Sequence, residues 1–224
     1  MNRTELTEAF EEAKDPEKAE KMAAYMKDQF PFFGIQATER RKISGPLFTS
    51  WQVMKKPVDW AFVHELWLMP EREYQYVAMD LLKRVEKKLG RGDAEELKTL
   101  IETKSWWDTV DGLASGPVGR LVKTDRETVK EMDAWVTDAN LWVRRTAILH
   151  QLSYKDATDE ARLFAYCRRH AEDPAFFIAK AIGWALREYA KTNPEAVRDF
   201  VNATPLRPLS RREALKHIGS ASDA

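Results

Sequence analysis

The residues best suited to chemistry lie between Ser105 and Asp111, Ser-Trp-Trp-Asp-Thr-Val-Asp, where two indole rings and two carboxylates fall within barely two helical turns. A helix that takes Ser105 as its N-cap puts Asp108 three residues on, where its carboxylate reaches back to the cap in a capping box. Asp111 is then left without a structural task. Trp107 and Asp111 are four residues apart and share a helical face, so a ring lies beside an unassigned carboxylate. An acid in that position is a candidate for proton transfer or for stabilising positive charge in a reacting group.

The elements that must position it read as helices throughout. No period-2 run is flanked by hairpin dipeptides, whereas helix starts recur. Asp15-Pro16, Asp173-Pro174 and Asn193-Pro194 each offer an N-cap followed by Pro at the first helical position. Pro70 opens another helix, and Ser210 with Glu213 forms a second capping box. Ala78, Leu113, Ala147, Ala181 and Ala214 sit at comparable points of successive second helices, 35, 34, 34 and 33 residues apart. A period in the mid-thirties with a helix pair per unit predicts an all-α, HEAT-like α-solenoid, in which each repeat buries its apolar face against its neighbours. The reading is of one continuous domain over residues 1–218 with a concave face lined by the second helices, and a loose tail at 219–224.

Two helices depart from ordinary patterning. From Pro174 to Lys191 the apolar stripe is Ile178, Ala181, Ile182, Ala185, Leu186 and Tyr189, and nearly opposite lie Phe177, Lys180, Trp184, Arg187 and Lys191. Rings interleaved with cations are disfavoured on a merely solvated face and suit a sugar-phosphate surface; the plain alternative is a protein contact. From Leu141 to Leu152, Arg145 falls in the middle of the apolar stripe. It must meet an anion or emerge into a groove, and the groove is the expectation. Asp111 and Arg145 are 34 residues apart, one repeat, so an acid and a base face the same concavity from adjacent helices. The plain alternative for Asp111 is a salt bridge to Arg145. Trp106 is the better core candidate of the tryptophan pair and Trp107 the better ligand contact; Tyr25, in Met-Ala-Ala-Tyr-Met-Lys, reads as core on pattern alone.

Composition narrows the function classes. At 44% hydrophobic and 32% charged, with a mean hydropathy of -0.54, the 224 residues suit a globular protein of the cytoplasm. No apolar run approaches a membrane span, and the N-terminus lacks the apolar core of a signal peptide. Cys167 is the lone cysteine, and the four histidines show no metal-binding spacing, so no metal is expected. The phosphate loop, the dinucleotide fingerprint and the nucleophile elbow are absent, so no cofactor is expected. Formal net charge is zero, but residues 140–224 carry 14 Lys+Arg against 10 Asp+Glu, and the rest 22 against 26. Arg207, Arg211, Arg212, Lys216 and His217 add a basic cluster at the end of the solenoid.

In order along almost the whole chain, a set of segments resembles the AlkD-like DNA alkylation repair proteins, HEAT-like DNA glycosylases that excise alkylated purines. These are Pro16 to Glu20 through Tyr25-Met26-Lys27, Phe33-Gly34-Ile35-Gln36 with Glu39-Arg40-Arg41, Leu66-Trp67 with Pro70 to Glu73, and Lys104 to Asp111. They continue with Asn140-Leu141-Trp142 and Arg145, Ala181 to Trp184 through Arg187 to Pro194, and Leu209-Ser210 with Arg212-Glu213-Ala214 and Lys216 to Ile218. The resemblance implies that Asp111 is the catalytic carboxylate, that Trp107 and Trp184 contact the sugar and backbone around a lesion, that Arg145 holds a phosphate and that Tyr25 lies near the same site. Lys180, Arg187, Lys191 and Arg212 are the further DNA-binding candidates. The implied partner is duplex DNA carrying alkylated bases, bound without extruding the lesion; a monomer is the default expectation. A cationic alkylpurine leaves as a neutral base without a general acid, so one carboxylate can suffice where glycoside hydrolases use two. The rival from another class is a HEAT-like module that binds DNA structures or protein without chemistry.

Overall fold

A computed structural model of the chain describes residues 1–218; the tail expected at 219–224 lies outside the described residues. The described residues contain helices and no strands. The chain packs as two compact units, Met1–Leu89 and a second that begins at Gly90.

The first unit comprises α1 (Arg3–Glu12), α2 (Pro16–Tyr25), α3 (Ala37–Ser50), α4 (Trp60–Leu68) and α5 (Arg72–Val85). The Asp15-Pro16 start is as the sequence predicts: Asp15 caps α2 by accepting from the Lys18 N–H, and Pro16 takes the first helical position. Pro70 does not open α5, which begins two residues later behind Glu71. The core is an aromatic knot in which Phe10, Phe33 and Tyr74 lie with ring centroids 5.5–5.7 Å apart. Beneath it the fully buried Glu73 carboxylate accepts from the N–H groups of Phe33, Gly34 and Ile35 at 3.1, 2.9 and 3.0 Å. Gly34 is required there: its φ is +91°, and a Cβ would lie 2.1 Å from the Asp15 carbonyl oxygen. Arg40 and Arg41 both pair with Asp80, at 3.0 and 3.2 Å. The Phe33-to-Gln36, Arg40-Arg41 and Pro70-to-Glu73 segments are therefore joinery.

The second unit holds α6 (Ala94–Glu102), α7 (Trp107–Leu113), α8 (Gly119–Thr124), α9 (Val129–Trp135), α10 (Leu141–Leu149), α11 (Glu160–Arg169), α12 (Phe176–Tyr189), α13 (Pro194–Ala203) and α14 (Pro208–Ala214). Asn193-Pro194 starts α13 as expected, with the Asn193 side chain on the Ala196 N–H at 3.2 Å. Asp173-Pro174 does not start α12. Asp173 accepts from the Ala175 N–H in a turn, and the helix begins two residues past the proline. The second helices lie side by side, α10 against α7 and α12, and α12 against α10 and α14. The repeat positions explain that layer. Leu113, Ala147, Ala181 and Ala214 are all fully buried, as is Ala78 in the first unit, so the mid-thirties period marks the positions where each helix meets its neighbour. All-α architecture in HEAT-like stacked helices is the fold the sequence implied.

Candidate active site

The site is built where α7, α10 and α12 adjoin. Helix α7 starts later than its sequence suggests: Trp106 is the N-cap, with extended backbone, and Ser105 is turned away to donate to the Ile101 carbonyl at 2.6 Å. Asp108 therefore lies in the first turn of α7, where its negative charge favours the helix dipole, and the expected Ser105–Asp108 capping box does not form. Trp107 and Asp111 remain on one face of this short helix.

Asp111 has a partner, and it is Arg145. The guanidinium Nε and Nη2 donate to the two carboxylate oxygens at 2.7 and 2.8 Å, a bidentate pair, while Nη1 donates to the Phe177 carbonyl of α12. The Arg145 side chain is 1% exposed and that of Asp111 18%. Arg145 thus does not emerge into a groove. It meets the anion one repeat away, and the spacing of 34 residues becomes a contact. Burial pushes the Asp111 carboxyl above the ordinary carboxylate range, and the Arg145 hydrogen bonds and charge pull the other way. The result is a fixed carboxylate on a side chain that is not wholly enclosed.

Rings enclose the cation. The Arg145 guanidinium carbon lies 5.4 Å from the Trp184 ring centroid and 5.8 Å from that of Phe177. Phe177 in turn packs on Trp142 and Trp106, at 4.8 and 5.2 Å between centroids. Trp106 is half-buried in this aromatic trio and not in the core proper, because it leads into α7 from an extended cap residue.

The cations expected on the outer face of α12 are also engaged. Lys180 Nζ and Arg187 Nη1 both donate to Glu213 of α14 at 2.9 Å, and Lys180 also lies 5.2 Å from the Trp184 centroid. Phe177, Lys180, Trp184 and Arg187 are accordingly half-buried, not an open surface. Ser210 and Glu213 do not cap α14, whose N-cap is Arg207; Ser210 donates to the Ala179 carbonyl at 2.9 Å. Glu213 thus serves α12 and not its own helix start, and the sequence signal for this is its distance of 33 residues from Lys180, again one repeat. Lys191 pairs with Glu188 in solvent, and Arg212 is exposed. Tyr25 belongs to the first unit and is 69% exposed, against its core pattern; it lines an open apolar groove of about 270 Å³ with Lys18, Lys21, Met22, Met26, Phe32, Gln36 and Tyr76. Cys167 is buried, with its thiol pKa pushed up by desolvation, so it is no nucleophile. No helix of the described residues is long and apolar enough to cross a membrane.

Comparison with known proteins agrees over nearly the full length. Residues 6–218 match the family described as DNA alkylation repair enzyme. A solved structure described as a predicted DNA alkylation repair enzyme from Enterococcus faecalis is 35% identical, covering 93% of this chain and 98% of that one, with a TM-score of 0.82. No curated protein matches the chain.

Proposed function

The chain belongs to the DNA alkylation repair enzyme family, and from that premise we propose that it is a metal-independent DNA glycosylase that excises cationic alkylpurines, of the 3-methyladenine and 7-methylguanine type, from duplex DNA. The observation that carries this reading is the Asp111 carboxylate, locked by two Arg145 hydrogen bonds on a side chain that remains 18% exposed. An N3- or N7-alkylated purine already bears the positive charge that a general acid would otherwise supply. As its N-glycosidic bond stretches, that charge moves onto the sugar. Asp111 held against the sugar stabilises the oxocarbenium-like state and accepts a hydrogen bond from the attacking water.

Arg145 acts through Asp111. Rotation of an unpaired aspartate would scatter its charge over several positions, whereas the fork of the guanidinium fixes both oxygens in advance. Trp107, on the Asp111 face of α7, and Trp184, against Arg145, contact the sugar and backbone and exclude water. Exclusion strengthens the attraction between carboxylate and developing cation, because the local dielectric falls. Among the DNA-binding candidates, Lys191, Arg212 and Tyr25 meet the duplex from exposed positions, while Arg145, Lys180 and Arg187 keep their carboxylate partners and serve by holding the site in shape. Recognition then rests on backbone contact and on the easier deformation of a damaged duplex.

The test is product identity. The protein incubated with a 7-methylguanine duplex is expected to yield free 7-methylguanine and an alkali-labile abasic site in equal amounts. Tight binding of the duplex with neither product would establish the non-catalytic alternative.

A further inference from the structure

One carboxylate beside the site, Glu213 of α14, has no part in the chemistry proposed above. On α12, Lys180, Gly183, Trp184 and Arg187 follow the i, i+3, i+4, i+7 spacing of a single helical face. Gly183 leaves a notch in that face. A Cβ added there would lie 2.5 Å from the Glu213 Cβ and 3.1 Å from the Ser210 carbonyl oxygen, so α14 approaches α12 this closely only because residue 183 has no side chain. Glu213 sits in the notch with one cation a turn before it and one a turn after. Its two oxygens each take one of them, at 2.9 Å, and its side chain is only 13% exposed. The Lys180 hydrogen bond holds the Glu213 carboxyl below the ordinary carboxylate range.

The cluster does not end at the cations. Lys180 is shared between Glu213 and the face of Trp184, 5.2 Å away, and the same ring meets Arg145 at 5.4 Å. A continuous line of contacts therefore runs from Glu213 through Lys180 and Trp184 to the Arg145–Asp111 pair. Without its carboxylate, Lys180 is a flexible ammonium beside a ring, free to leave for solvent.

We propose that Glu213 is a positioning residue of this site: seated over Gly183, it fixes Lys180 against Trp184 and so sets the indole that packs on Arg145. The inference rests on the glycosylase reading for its kinetic consequence, but the position of the ring is measurable without it. The experiment uses the full chain labelled with 5-fluorotryptophan, the Trp184 fluorine resonance being the one lost in Trp184→Phe. Glu213→Gln keeps the side-chain shape and removes the charge. It is expected to move the Trp184 resonance and to slow single-turnover base release at saturating protein about tenfold, as a displaced active-site group does. Binding to the same duplex is expected to be unchanged or tighter, since a negative charge beside two cations has gone. Lys180→Met, which cuts only the middle link, is expected to move the same resonance. An unmoved Trp184 resonance in both variants overturns the proposal, as does a loss of rate accounted for wholly by weaker binding. If the wild type releases no base, the glycosylase reading fails while the resonance still decides whether Glu213 sets the ring.

Discussion

Glu73 of α5 and Asp111 of α7 are carboxylates withdrawn from solvent to different degrees, and the protein treats them in opposite ways. Glu73 is fully enclosed and is satisfied by the N–H groups of three consecutive residues. Asp111 is satisfied by a single guanidinium and stays partly exposed. In both, burial pushes the pKa above the ordinary carboxylate value. The difference lies in what each leaves over. Backbone donors from a glycine-bearing turn surround Glu73 and fix the chain around it, so the acid serves the fold. A single side chain holds Asp111, which is 18% exposed, and in the proposed function this acid meets a second positive charge.

The comparison can be broken from either side, and the largest effects on stability come from removing a partner. Arg145→Ala leaves Asp111 buried without its cation and is expected to cost about 3–5 kcal/mol in urea unfolding. The sign of its pH dependence follows. With Arg145 gone, nothing opposes the burial that raises Asp111, and a group whose folded pKa exceeds its unfolded value stabilises below the unfolded pKa and loses that contribution as pH rises through the folded one. The Arg145→Ala variant should therefore be closest to wild type in acid and fall further behind toward neutral pH; a deficit independent of pH would contradict the pairing. Glu73→Ala leaves three buried N–H groups without an acceptor and is expected to cost about 3 kcal/mol. Its base release per folded molecule should match wild type, and a selective loss of rate would dissolve the contrast between the two acids.

A middle-sized effect sharpens the account of α12 and α14. Gly183→Ala must push Glu213 out of its notch and is expected to cost about 1–3 kcal/mol as overpacking, measured by thermal or urea unfolding. The smallest effect belongs to the solvated pair Lys191–Glu188, where Lys191→Ala should change stability by less than about 0.5 kcal/mol. Its contribution to DNA is a separate quantity, read as a shallower dependence of affinity on salt.

Much of this arrangement was legible in the sequence, and the exceptions share a cause. Repeat spacing located the buried second-helix positions from Ala78 to Ala214, because packing against a neighbour imposes a small or apolar residue at each. The same spacing brought Asp111 and Arg145 together. What spacing could not say was whether Arg145 found an anion or a groove, since periodicity gives the direction of a side chain and not what waits there. The capping boxes at Ser105 and Ser210 failed for a related reason. Serine and an acid three residues later serve a helix start or another helix equally well, and here other helices took them: Ser105 closes back on Ile101 at the end of α6, Ser210 reaches Ala179, and Glu213 takes Lys180 and Arg187. Tyr25 read as core from its apolar neighbours yet stands exposed, at the last position of α2 where the helical face is about to end.

The central claim is that the Asp111 charge, and not merely the fold around it, drives base release. Asp111→Asn keeps the shape and removes the charge, so single-turnover release of 7-methylguanine from duplex DNA at saturating protein measures that charge directly. The expected result is a fall of at least about 100-fold, the scale of losing one electrostatic stabiliser of a transition state, with duplex affinity retained. Release by Asp111→Asn at the wild-type rate would contradict it.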